Sequence, residues 1–290
     1  MGQMRDEPAA DMVTRPGREG LFGPGSVTWR IMDEPVIWVA GLRSLYLQAL
    51  NPRVMRATWQ NTGFADRREA WGRFVRTAEF VRVRTYGSAA EAARAGRRVR
   101  KIHATVTGTD ADGSTIRLDE PDLLLWVHCG EVSSYVEIVR RSGMRLSAAD
   151  LDTFVAEQQR SAGIVGIDPA AAPASVTALD SYYERVKPGL YACAEARAAL
   201  RGSFNPPVPA QYAALRLIVP PLGAEALRHV GQPADRHRGD RGTPRALSVD
   251  DARPAAGALF PGDGRHAAGR PRPGARRARR AGQRGLGPAW

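Results

Sequence analysis

The 290-residue sequence lacks most of the short motifs that announce a chemistry. It has no phosphate-binding P-loop, no GxGxxG, no HExxH, no CxxC pair and no GxSxG elbow, which removes the motif-defined nucleotide, zinc-protease, redox-dithiol and serine-hydrolase classes. Its two cysteines, Cys129 and Cys193, are too few for a disulfide framework. No run of about 18 apolar residues exists, so no membrane-spanning helix is expected. The opening MGQMRDEPAADMVTRPGREG lacks the apolar core of a secretory signal, and the expected location is cytoplasmic.

Lysine is nearly absent as well. Lys101 and Lys187 are the only two among 42 basic residues. Such an arginine bias, with abundant Ala, Gly and Pro, is what a GC-rich coding genome produces. The net charge of +12 is therefore not by itself a nucleic-acid signature. It is also unevenly spread: from Gln232 to Trp290 there are 13 Arg against 5 Asp, a net of +8, leaving +4 for the first 231 residues.

What is present reads as helix. Residues 1–25 are polar and rich in Gly and Pro, and are expected to be disordered. Two apolar blocks follow, split by Glu34-Pro35, where a new helix should begin, and closed at Asn51-Pro52. Trp71, Phe74, Val75, Ala78 and Val81 lie at helical spacing in a segment that should stop at Gly87. Ser88 and Glu91 form an S-x-x-E capping box, opening a helix whose expected buried stripe is Ala95, Val99, Ile102 and Val106. A short hairpin fits the turn-rich stretch near 109–118. Pro121 starts a helix with no charge from Leu123 to Gly130, which marks it as buried all round; Gly143 ends it. Ser147 and Asp150 cap the next. Further helices are expected near 177–200 and 210–230, broken by Pro188 and by Pro220-Pro221. The class is all-α, with one helical-bundle-like domain over 26–231.

From 232 onward helical periodicity disappears. Three readings stand for this Arg-, Gly-, Pro- and Ala-rich tail: a basic arm for nucleic acid or acidic partners, a solvated tail, or an off-frame translation of GC-rich DNA.

Two histidines remain as candidates outside or away from that tail, His103 and His128. On an ideal helix Leu124, His128, Glu131 and Tyr135 share one line, at offsets of 4, 7 and 11. A buried neutral imidazole needs partners for its nitrogens, since an unmet buried polar group costs about 1–3 kcal/mol. A metal at one nitrogen meets that need, and so does a carbonyl or Glu131; spacing does not choose between them. His103 shares a polar line with Gly96, Arg100 and Thr107, which is either a solvated face or one side of a cleft. Cys129 is a second conceivable axial ligand, but it lies about 100° around the helix from His128, so both cannot face one iron.

The ordered blocks FGPGSVTWRIMDEP, LYLQALNPRV, GRFVRTAEFVRVRTYGS, RRVRKIHATVTG and PDLLLWVHCGEVSSY resemble the MpaB-type oxygenase family, which includes the latex-clearing proteins, over about residues 22 to 230. The resemblance implies a mostly helical fold, one b-type haem and dioxygen as co-substrate. It implies His128 as the proximal iron ligand and Arg100 and His103 as polar residues on the distal side. Thr77 and Tyr86 match a marked family block and are assigned to the pocket lining. The implied function is a haem-dependent oxygenase that hydroxylates or cleaves a hydrophobic small molecule such as an isoprenoid or lipid-like metabolite. Two other readings are a haem-binding relative without turnover and a nucleic-acid-binding protein acting through the tail.

Overall fold

The computed structural model describes residues 20–61 and 67–203, together with positions 217, 220, 221, 223 and 224. The chain divides into units Met1–Ala252 and Arg253–Trp290, and every described residue belongs to the first. The assignments of disorder to 1–25 and of an irregular tail to 232–290 fall almost wholly outside the described residues, as does most of the helix expected near 210–230.

Helices dominate the described chain. Helix α1 (Val27–Met32) is capped by the Ser26 hydroxyl, which accepts from the Trp29 N–H at 3.2 Å. A second cap comes from far along the chain: Glu157 accepts from the Thr28 N–H at 2.8 Å and the Thr28 hydroxyl at 2.6 Å. Helix α2 (Ile37–Gln48) begins two residues past Pro35, after a tighter turn in which Ile37 and Trp38 donate to the carbonyls of Glu34 and Pro35. Asn51-Pro52 both ends α2 and opens α3 (Pro52–Asn61), because the Asn51 side chain accepts from the N–H groups of Arg53 and Val54.

Helix α4 (Arg67–Tyr86) stops at Gly87 as expected. Helix α5 (Ala89–His103) starts with the full capping box: the Ser88 N–H donates to Glu91 and the Glu91 N–H donates to the Ser88 hydroxyl. The buried stripe expected on α5 is corrected, however. Ala92 and Gly96 are the buried positions, while Ala95, Val99 and Ile102 are half-buried; Val106 is buried but lies beyond the helix. Close approach to the next-but-one helix decides this, since a β-carbon at Gly96 would collide with the Ile164 carbonyl. Strands β1 (Thr107–Thr109) and β2 (Thr115–Arg117) form the hairpin, with Gly108 opposite Ile116 and a turn through Gly113 at φ +84°.

Helix α6 (Pro121–Arg141) is the axis of the domain, with eleven buried residues. Helix α2 lies along it. Gly130 admits Gln48, whose amide donates to the Val127 carbonyl at 3.1 Å, and Arg43 donates to the Ser134 hydroxyl at 2.8 Å. Helix α7 (Ala148–Val165) begins with the Ser147–Asp150 box and ends at Gly166, whose φ of +97° is a left-handed cap. Its Phe154 meets the Tyr135 ring edge-on at 6.2 Å. The region expected as helix near 177–200 is α8 (Val176–Val186) and α9 (Ala194–Ser203), separated at Pro188 by a short 3-10 turn.

Candidate active site

Helix α6 is apolar nearly all round, yet it is not covered evenly. Leu124, Val127 and Glu131 remain half-buried although their neighbours Trp126, Cys129, Gly130 and Val132 are buried. These three lie on one side of the helix, with His128 at their edge. The other sides are taken: α2 packs against Gly130 and Ser134, and α8 brings Tyr183 to Trp126 at 5.7 Å and its hydroxyl to Ser133 at 2.8 Å. Helix α7 and the turn after it cover Leu124 through Ala162, Ile167 and Ala172, and α4 approaches the remaining part at Glu131.

Helix α4 meets α6 through charge. Arg84 and Glu131 form a two-pronged ion pair, at 3.0 Å from Nη1 and 2.6 Å from Nη2. At the opposite end of α4, Arg73 is a charged neighbour of His103, as is Asp119 just ahead of α6. The two helices therefore run in the same direction, and about 16 Å of α4 separates the two contacts at 1.5 Å per residue. Arg73, Thr77, Phe80 and Arg84 share one line of α4 at offsets of 4, 7 and 11, the same spacing as Leu124, His128, Glu131 and Tyr135 on α6. Along that line Thr77 is exposed and Phe80 half-buried, with the Arg84 guanidinium over the Phe80 ring at 5.6 Å. The space between these two lines is the candidate groove, with His103 towards one end and the Arg84–Glu131 pair at the other.

The electrostatics of this groove favour neutral imidazoles. Burial pushes the His128 pKa down to about 4; Glu131 opposes this and Arg84 reinforces it. His103 is also lowered, by burial and then by Arg73. Burial alone would raise Glu131, but the charge and hydrogen bonds of Arg84 hold it below the usual carboxylate range. Arg73, brought down to about 10 by burial and by Arg76, stays cationic at neutral pH. Three buried polar atoms among the described residues lack a partner: Arg84 Nε, Thr85 Oγ1 and His103 Nδ1. His103 Nδ1 lies towards one end of the groove and Arg84 Nε at the other, while Thr85 follows Arg84 on α4 and its carbonyl accepts from the Trp29 indole.

The other expected site residues are distributed differently. Arg100 does not share the surroundings of His103, one turn away. It is exposed, donates to the Ile164 carbonyl and lays its methylenes over Gly166, so it closes the C-terminus of α7. Tyr86 is the last residue of α4; its ring meets Trp29 edge-on at 5.2 Å, and both border a surface depression of about 740 Å³ with Arg30 and Met144. Cys129 lies on the far side of α6 near Tyr182, Tyr183 and Arg185. Burial pushes its thiol up to about 12, so it is protonated at neutral pH and a poor axial ligand.

Arg84 and Arg73 are the groove residues that helical spacing left unassigned to a site, and Glu131 was read there only as a partner for His128. The signal was present in the matching lines of polar residues on α4 and α6. It was hidden because an arginine among Val81, Val83 and Tyr86 reads equally well as a solvated face.

Against this geometry the chain matches the family model of the ER-bound oxygenase mpaB/B'/rubber oxygenase catalytic domain over residues 28–289. The protein belongs to that oxygenase family. The match runs through the described helices and on into the arginine-rich C-terminal segment. No curated protein and no solved structure matches the chain.

Proposed function

We propose that the α4–α6 groove holds one b-type haem and that the domain uses dioxygen to oxidise a hydrophobic small molecule, such as an isoprenoid or lipid-like metabolite. The observation that carries this reading is a buried, neutral His128 imidazole beside half-buried apolar residues, with the unpartnered His103 Nδ1 and Arg84 Nε towards the two ends of the groove. The donor set fits: haem iron needs one protein imidazole, and His128 keeps its lone pair free at neutral pH without first losing a proton. Val127 and Phe80 offer apolar faces to a flat macrocycle. Arg84 Nε offers an unused donor to its polar edge. When bound, the haem supplies the capacity to activate dioxygen. The protein would supply an imidazole ligand from His128, an apolar wall and the fixed charge of the Arg84–Glu131 pair. An apolar substrate suits the same lining.

A second assignment of the axial ligand has its own support. His103 Nδ1 is a buried atom without a partner, which coordination would satisfy. In that arrangement His128 and Thr77 would line the groove as polar groups without ligating the iron. Distal roles for Arg100 and His103 rest on the family resemblance, and of the two only His103 borders the groove.

The test is the absorbance spectrum of protein expressed with iron and a haem precursor. A Soret band lost in His128→Ala but kept in His103→Ala supports the first assignment, and the reverse supports the second. No Soret band in the unaltered protein overturns the haem reading. Haem retained without oxygen consumption on any apolar substrate leaves a binding protein instead of an oxygenase. Among the described residues, no helix is long and apolar enough to cross a membrane.

A further inference from the structure

Helix α2 is built the wrong way round for a helix at a protein surface. Its sequence, IWVAGLRSLYLQ, contains one charged residue, Arg43, and that residue is buried against Ser134 of α6. The outward line is Trp38, Leu42 and Leu45, at helical offsets of 4 and 7. Trp38 is 54% exposed and Leu45 44% exposed, and Gly41 between them faces open space. The line does not stop at α2. Trp38 touches Phe74 of α4 at 6.4 Å between ring centres, Phe74 stacks near Trp71 at 5.6 Å, and Val75 beside them is 45% exposed. A contiguous apolar, tryptophan-bearing surface of this kind marks an interaction site.

The charge next to it is concentrated. Helices α4 and α5 together hold ten Arg and one Lys against three Glu, a net of +8 in their two segments. The first 231 residues total only +4, so the rest of that stretch is net acidic. On α5, Arg94, Arg97, Arg98, Arg100 and Lys101 are all exposed. Helix α5 packs along α4, so the apolar face with its aromatic side chains has a strongly cationic helix as a neighbour, a combination complementary to an anionic lipid bilayer: acyl chains take the first and headgroups the second.

We propose that the α2/α4 face is a docking surface for an anionic membrane, on which the protein lies peripherally with Trp38 and Leu45 inserted at the headgroup level. The proposal is independent of haem in the groove, because it concerns a different face of α2 and α4 and is read by lipid binding alone. It would also bring the domain to the phase in which hydrophobic small molecules reside.

The test is co-sedimentation of the full chain with vesicles of phosphatidylcholine alone, or of equal parts phosphatidylcholine and phosphatidylserine, with circular dichroism to confirm each variant is folded. Binding to the anionic vesicles should exceed binding to neutral ones by at least about tenfold and weaken with salt. The pair Trp38→Asp and Leu45→Asp should lower it by about tenfold or more through lost insertion. A second variant, with Arg94, Arg97 and Arg98 each changed to Gln, should remove the preference for phosphatidylserine. Three results overturn the proposal. One is no binding to either vesicle. Another is self-association of the unaltered protein that the Trp38/Leu45 pair abolishes, which would make the face a contact between copies. The last is anionic-vesicle binding undiminished by both variants, or RNA binding that outcompetes the vesicles, which would assign the charge elsewhere.

Discussion

Lowering the pH should weaken the fold through His128, and the size of the effect can be worked from its burial. A histidine whose folded-state pKa lies at about 4 is neutral in the native protein, while in the unfolded chain it takes up a proton near 6.5. The unfolded state therefore binds more protons across this window, and stability falls as pH drops through it. The full loss is about 3 kcal/mol, of which about 2 kcal/mol appears between roughly pH 7 and pH 5. His103, lowered in the same direction, adds to the slope. Glu131 does not interfere: its depressed pKa makes a contribution that is present above the ordinary carboxylate range and is lost only at lower pH. The assay is urea unfolding of the unaltered protein and of His128→Gln at both pH values, with the extrapolated stabilities compared. His128→Gln should remove about 2 kcal/mol of the pH dependence whatever it does to stability at pH 7. Equal pH dependence in the two proteins would refute the reasoning, because it would mean that His128 reaches water in the native state.

Other consequences follow from particular contacts. Glu131→Gln strands the Arg84 charge, whose side chain is 5% exposed, and should cost about 3–5 kcal/mol in the same urea measurement; replacing Arg84 with Met and Glu131 with Leu together should recover most of that loss. Gly96→Ala pushes a methyl group into the Ile164 carbonyl and should destabilise by about 1–3 kcal/mol, seen as a lower Tm, because backbone cannot move aside as a side chain could. Cys129, buried with a thiol pKa near 12, should resist a thiol-specific reagent in native protein at neutral pH and react once urea unfolds the chain; fast labelling of both cysteines in the native state would contradict its burial.

The helical course of the chain was legible because its signals are local. Ser88 with Glu91, Ser147 with Asp150, Pro121 and Gly143 each act within a turn or two, and each ends or starts a helix where the sequence says it should. The buried face of α5 was not legible in the same way. Periodicity favours the bulky Val99 and Ile102, whereas the choice of face depends on how near α7 comes, which Gly96 decides. The site shows the same division. His128 stands out in LLLWVHC as a polar residue in an apolar helix, and Glu131 lies on its line. Arg84 lies 47 positions away, and no local rule ties it to Glu131. Arg100 and His103 look equivalent at a spacing of three, yet they diverge because a helix C-terminus stands beside one and a cation beside the other.

The cap that Glu157 places on α1 has a bearing on the order in which the molecule assembles. Helix α1 has six residues, too few to persist alone in water. Its first N–H groups and the Thr28 hydroxyl are satisfied by a carboxylate that is translated about 130 residues later, and Gln158 donates to Thr28 from the same turn of α7. The first of the described helices is thus among the last able to form. It closes onto the domain only once α7 is in place, and amide hydrogen exchange at Val27 and Thr28 should report on the docking of α7 more directly than on α1 itself.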